Sequence, residues 1–302
     1  VSASEATPGR LTAEEIASQP ACWVRAQQQA RAGVPGLPEP GERVLVLGCG
    51  TSYYVAGSYA WLREQAGDGL TDAVIASELP TRLRDYDRVM AISRSGTTTE
   101  VLQALDRFGG TVPVTALVGV TGTPVTERAA DVVDLSYADE RSVVQTRFPT
   151  TVLALLRATL GDDAAAQARL VRDGEDALRA DLVADVPRQL VVLATGWAVG
   201  LAQEAALKCR EAAGMWAEAY ATGEYRHGPI SVAGPGTLVW AMTPLSGTET
   251  AAVEATGADI RHGGAEPQAE LVHLQRHAVA WATAAGRDAD RPVHLSRSVI
   301  AV

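Results

Sequence analysis

The sequence predicts an α/β protein built from two tandem, doubly wound parallel sheets. Three observations lead there. From residue 43 onward, short apolar segments alternate with helical ones, the pattern of parallel strands covered by helices on both faces. The strands at Val44–Leu47 and Arg88–Ser93 both run into Gly/Ser/Thr loops that open a helix. The second half repeats the order of the first. Gln189–Leu193 leads into Ala194-Thr195-Gly196 much as Val44–Leu47 leads toward Gly50, and Thr237–Met242 precedes Ser246-Gly247-Thr248 as Arg88–Ser93 precedes Ser95-Gly96-Thr97.

The elements follow in order. Residues 11–33 read as one helix opened by Thr12, with Glu14 and Glu15 in its first turn. The Gly- and Pro-rich run 33–41 is a linker. A strand at 43–47 precedes a helix at 53–65; further strands are expected at 74–76, 88–93, 112–118 and 131–135, and helices at 150–160 and 163–180. The expected organisation is an N-terminal helix and linker (1–37), a first domain (38–165) and a second (185–302).

Composition narrows the function. Residues are 47% hydrophobic and 21% charged, as in a globular protein with a real core. A net charge of −10 argues against nucleic acid and anionic membrane surfaces as partners. Cys22, Cys49 and Cys209 are far apart and form no CxxC pair, so neither a disulfide framework nor a metal site is expected. No apolar run reaches spanning length and Val1–Glu5 does not read as a signal peptide. A reducing cytoplasm is the expected location.

Two constellations carry chemistry. The loops Gly50-Thr51-Ser52 and Ser93-Arg94-Ser95-Gly96-Thr97-Thr98 fall at strand ends just before helices, where hydroxyls and free helix N–H groups hold a phosphate. Neither loop is a dinucleotide fingerprint or a P-loop, and ordinary N-cap chemistry would use the same residue types. The second constellation surrounds Lys208, the single lysine in a chain with 25 arginines. An amine can lose its proton or form an imine where a guanidinium cannot. Glu204, Lys208 and Glu211 are spaced i, i+4, i+7, on one face of a helix. The same spacing fits an ion-pair ladder. Downstream, His227 lies between Tyr225-Arg226 and Gly228-Pro229 on an expected loop, with a side chain suited to acid–base work. His262, His273, His277 and His294 have no such setting and are read as structural or surface residues.

The run Glu204–Glu211, the segments Ala217–Tyr220 and Gly223–Pro229, and the two hydroxyl loops together resemble the isomerase half of glucosamine-6-phosphate synthase. They resemble equally its relatives with two sugar-isomerase (SIS) domains: amino-sugar-phosphate deaminases, deglycases and ketose/aldose isomerases. Glu140–Arg147 resembles a substrate-lining segment of that family, and the similarity covers about residues 40–302. The resemblance implies flavodoxin-like or Rossmann-like three-layer α/β/α subdomains. It implies phosphate binding by Gly50, Thr51, Ser52, Ser93, Arg94, Ser95 and Thr98, and contacts to the sugar from Val143 and Gln145. Glu211 would move a proton between C1 and C2, with Lys208 and Glu204 in support. His227, supplied by the neighbouring subunit of a homodimer, would open the sugar ring. No metal or cofactor is implied.

Three departures qualify the likeness. The stretch after Gly247 is short for that family, so the second sheet is expected to lack a strand. Some 40 residues precede the similar region, so a glutaminase domain and glutamine-dependent synthesis are not expected. The synthase's tail lysine is Arg297 here; an imine is excluded at that position, is lost or moves to Lys208, and Arg297 is left to anchor the sugar or close the site. The expected function is a phosphosugar isomerase or deaminase acting on a hexose or amino-hexose 6-phosphate. Plain aldose–ketose isomerisation and a non-catalytic sugar-phosphate sensor are the alternatives.

Overall fold

The computed structural model describes residues 7–183 and 185–300; the outermost ends of the expected domains 1–37 and 185–302 lie outside the described residues. In chain order the elements are α1 (Arg10–Ala17), α2 (Gln19–Ala32), β1 (Val44–Gly48), α3 (Thr51–Ala66), β2 (Thr71–Ile75), β3 (Arg88–Ser93), α4 (Thr99–Asp106), β4 (Val114–Val118), α5 (Pro124–Glu127), β5 (Asp131–Asp134), α6 (Arg147–Thr159) and α7 (Ala164–Arg179). There follow β6 (Gln189–Ala194), α8 (Ala198–Lys208), a π-helical turn (Cys209–Ala213), β7 (Trp216–Ala221), α9 (Thr222–Tyr225), β8 (Thr237–Ala241), α10 (Gly247–Glu254), β9 (Asp259–His262) and α11 (Pro267–Ala284).

The chain forms two compact units. One comprises Ala21–Glu140, Arg147–Val171 and Ser296–Val302; the other comprises Val1–Pro20, Arg141–Thr146 and Arg172–Leu295. Among the described residues, the first holds a five-stranded sheet in the order β2-β1-β3-β4-β5 and the second a four-stranded sheet in the order β7-β6-β8-β9. Every strand pair is parallel. The second sheet thus has one strand fewer, as the short stretch after Gly247 suggests.

Alternation along the strands builds three layers in the five-stranded unit. Leu45, Leu47, Val89, Ala91, Val114, Ala116 and Val118 share one core cluster with Val101, Leu105 and Val125 from α4 and α5. The intervening Val44, Val46, Met90, Ile92 and Leu117 are also fully or nearly fully buried. They point to the opposite face, the one that α3 covers, with α6 packed against α3. In the four-stranded unit Val191, Leu193 and Val239 pack with Tyr225 and Val253, while α8 and α11 cover the other face.

One expected helix is two. The segment 11–33 breaks at Ser18, whose amide and hydroxyl both turn back to the Glu15 carbonyl, at 3.2 and 2.7 Å. Pro20 follows; it has no N–H to continue the ladder. Among the described residues no helix is long and apolar enough to cross a membrane.

Candidate active site

In the five-stranded unit, the order 2-1-3-4-5 reverses direction between β1 and β3. That is the switch point at whose carboxyl end doubly wound sheets bind ligands. Gly50, Thr51 and Ser52 follow β1, and Ser93 to Thr98 follow β3, so the sheet brings the two hydroxyl loops together at that edge. Gly48 allows the β1 turn to close: a Cβ there would lie 2.6 Å from the Ser52 carbonyl carbon. Gly96 has φ +65°, and its missing Cβ leaves room for the Thr123 side chain. Ser93 is buried and its hydroxyl accepts the Gly96 amide at 3.1 Å, so it shapes the turn from within. Thr51 and Ser52 are buried in the first turn of α3, Gly50 is exposed, and Thr98 is the N-cap of α4.

The chain's own tail lies on this cradle. Ser298 Oγ is 3.1 Å from Ser95 Oγ and 3.0 Å from Thr97 Oγ1. Thr99 N–H, in the first turn of α4, donates to the Val299 carbonyl at 3.2 Å. Arg94 Nη2 donates to the Arg297 carbonyl at 2.9 Å, and Arg297 pairs with Asp139 at 2.5 Å. The donors suited to a phosphate therefore engage residues 297–299. Arg94 is buried and also lies 3.9 Å from the buried Glu140 carboxylate, whose other oxygen accepts the Arg147 amide at 2.8 Å. Its guanidinium is committed to protein partners. Asp139 and Ser298 were not given a role from the sequence; only their adjacency to the Glu140–Arg147 and Arg297 motifs pointed toward them. Cys49 lies between Gly48 and Gly50, and burial and the nearby Glu100 push its thiol up.

In the four-stranded unit, α8 starts beyond the carboxyl end of β6, but Lys208 is its last residue. Ten steps at 1.5 Å place Lys208 about 15 Å further along the helix. The start of α8 lies at this sheet's switch edge, and the ionisable cluster lies at the helix's other end. Glu211 sits on the π-helical turn, not on regular α-helix; such turns recur at functional sites. Lys208 Nζ is 2.5 Å from Glu211 Oε2 and 3.4 Å from Glu204 Oε1. The lysine and Glu204 are sealed, at 1% and 0% side-chain exposure, whereas Glu211 keeps 19%. This is not a surface ladder. Lys208 Nζ thus lies between two carboxylates, of which Glu211 is the one that reaches solvent. Neighbouring Cys209 is buried and its thiol is pushed up to about 12.

His227 is exposed in the turn after α9, its amide bonded to the Glu224 carbonyl. The π-turn precedes the start of β7 and His227 follows its end, so the whole of β7 lies between His227 and Glu211 along the chain. Val143 and Gln145 lie on an irregular segment of the same unit as Lys208. Gln145 Oε1 is a buried acceptor with no hydrogen-bond partner among the described residues.

No protein-family model matches the chain. It is 31% identical over 246 residues to a glutamine–fructose-6-phosphate aminotransferase (isomerizing) from Caulobacter vibrioides, covering 71% of this chain and 40% of that protein. The chain thus spans less than half the length of that curated relative. A crystal structure of glucosamine-6-phosphate deaminase from Thermotoga maritima has the same fold, with TM-score 0.82, 23% identity, and coverage of 95% of this chain and 99% of that one. So does the C-terminal domain of glucosamine-fructose-6-phosphate aminotransferase from Francisella tularensis, with TM-score 0.80, 19% identity, and coverage of 96% and 100%.

Proposed function

Because the chain resembles the double-SIS phosphosugar isomerases and deaminases in sequence and in fold, we propose that it catalyses proton transfer between C1 and C2 of a hexose or amino-hexose 6-phosphate. The observation that carries the proposal is the sealed Glu204–Lys208 pair holding a partly exposed Glu211. Such a carboxylate takes a proton from one carbon and returns it to the next, while the ammonium stays fixed. The hydroxyls of Ser95 and Thr97 and the Thr99 amide suit the phosphate. For an amino sugar, Glu211 removes the C2 proton of the open-chain aldehyde and an enolamine forms. Reprotonation at C1 leaves an imine at C2; water adds there, ammonia leaves and a ketose 6-phosphate remains.

Ring opening falls to His227 from a second subunit. Its exposure and its position at the far end of β7 from Glu211 favour that source. Free cysteines at Cys22, Cys49 and Cys209 fit a reducing cytoplasm. Isomerisation without loss of nitrogen is the second reading, favoured by a relative whose own name includes isomerisation. A sensor without catalysis finds no support among these relatives. Glucosamine 6-phosphate and a panel of hexose 6-phosphates, scored for ammonia and ketose phosphate, test the proposal. Ketose with ammonia supports deamination and ketose alone supports isomerisation. No turnover on any of them overturns both.

A further inference from the structure

The segment 141–146 carries Val143 and Gln145 yet belongs to no helix or strand. Its backbone donors still need partners. Two are met by one side chain far away in sequence. Glu15, on α1 and 4% exposed, accepts the Arg141 amide at 2.5 Å and the Ser142 amide at 3.4 Å. Its second oxygen accepts the Ser142 hydroxyl at 2.5 Å. A carboxylate has only acceptors to offer, and here both oxygens serve one loop. The loop's burial then alternates: Ser142, Val144 and Thr146 are buried, while Val143 and Gln145 are only partly so. Residues 141–144 are bent rather than extended, and the Ser142 hydroxyl also donates to the Val144 carbonyl at 2.8 Å, which holds the bend. Pinning Ser142 inward leaves Val143 and Gln145 as the less buried members of the loop between Ser142 and Thr146.

The clamp is itself anchored. Asp290, beyond α11, accepts the amides of Leu11 and Thr12 at 2.9 and 2.8 Å and the Thr12 hydroxyl at 2.8 Å. Asp288 accepts the Gly9 amide at 2.7 Å. All these groups lie in the four-stranded unit, the one that carries Lys208 and Glu211.

We propose that Glu15 is a positioning residue for substrate: its carboxylate sets the register of residues 141–146 and so aims Val143 and Gln145 at the sugar. This rests on the reading that those two residues line a sugar phosphate. The test compares Glu15→Gln and Ser142→Ala with Asp290→Asn, which loosens the start of α1 but leaves the loop contacts intact. Amide hydrogen exchange over residues 139–147 is measured beside KM and kcat on glucosamine 6-phosphate. Glu15→Gln is expected to speed exchange in the loop and raise KM about tenfold with kcat within about twofold, the size of one lost charge-assisted hydrogen bond. Ser142→Ala is expected to act in the same direction and to add little to Glu15→Gln. Asp290→Asn should speed exchange only near residues 9–13. An unchanged loop, a loosened loop with unchanged KM, or an equal KM rise in Asp290→Asn overturns the proposal. A wild type that neither binds nor converts the sugar phosphate, with the loop still loosened by Glu15→Gln, refutes the function and the positioning role while leaving the clamp as a structural contact.

Discussion

At the residue scale, Lys208 and its two carboxylates dominate. Removing one partner of a buried ionic group costs about 3–5 kcal/mol because the remaining charge is stranded. Lys208→Met is therefore expected to lower the urea unfolding free energy by about that amount. Glu211→Gln keeps the shape and removes the base; turnover should fall by roughly 10²–10⁴ with the unfolding midpoint little changed. His277 supplies a pH dependence. It is fully buried beside Trp240 and Trp281, its Nε2 accepts the Val183 amide at 2.9 Å, and burial lowers its pKa to about 4. That value includes smaller lowering effects of His273, Arg261 and Arg276, set against the raising hydrogen bond between Nδ1 and the His273 carbonyl. Between its ordinary value near 6.5 and about 4 the unfolded chain binds a proton that the folded chain does not. Stability should therefore fall as pH drops through that window, by at most about 3 kcal/mol, and be flat for this group above it. Unfolding free energies from pH 8 to pH 4 check the sign. A lone lysine among arginines was visible in the sequence. Its burial was not, because i, i+4, i+7 spacing is the same on a surface face and a covered one. His277 lacked any loop or motif around it, and only the packing of α11 reveals its setting.

At the scale of elements, β3 is bounded in the structure as the sequence predicts, because its apolar run ends abruptly in Ser-Arg-Ser-Gly. The strand β7 was not expected. It is an edge strand whose Glu218 and Tyr220 interrupt any apolar run. Nor did the sequence distinguish the π-turn beneath Glu211 from continuing helix. The cradle's geometry depends on Gly96; Gly96→Ala places a Cβ against Thr123 at positive φ. It is expected to cost about 1–3 kcal/mol in thermal stability and to weaken inorganic phosphate binding measured by calorimetry. The tail contacts make a separate prediction. Residues 297–299 use the donors that suit a phosphate, so bound phosphate should release them. Trypsin cleavage after Arg297, followed by mass spectrometry, should accelerate several-fold in inorganic phosphate. Slower cleavage would mean that tail and anion bind together.

At the scale of the whole molecule, two all-parallel sheets of five and four strands repeat one winding order, each reversing between its first and third strands. The repeat was legible because glycine and hydroxyl residues recur after corresponding strands. The division into units was not, since residues 141–146 and the tail each belong to the unit that is not their sequence neighbour's. The central claim is that Glu211 moves a proton between C1 and C2 of a sugar 6-phosphate. Proton NMR of glucosamine 6-phosphate and fructose 6-phosphate in deuterium oxide tests it most directly. Wild-type protein is expected to wash deuterium into the C1 or C2 position of at least one of them, and Glu211→Gln to leave both unlabelled. No exchange with wild type, or equal exchange with Glu211→Gln, would contradict it.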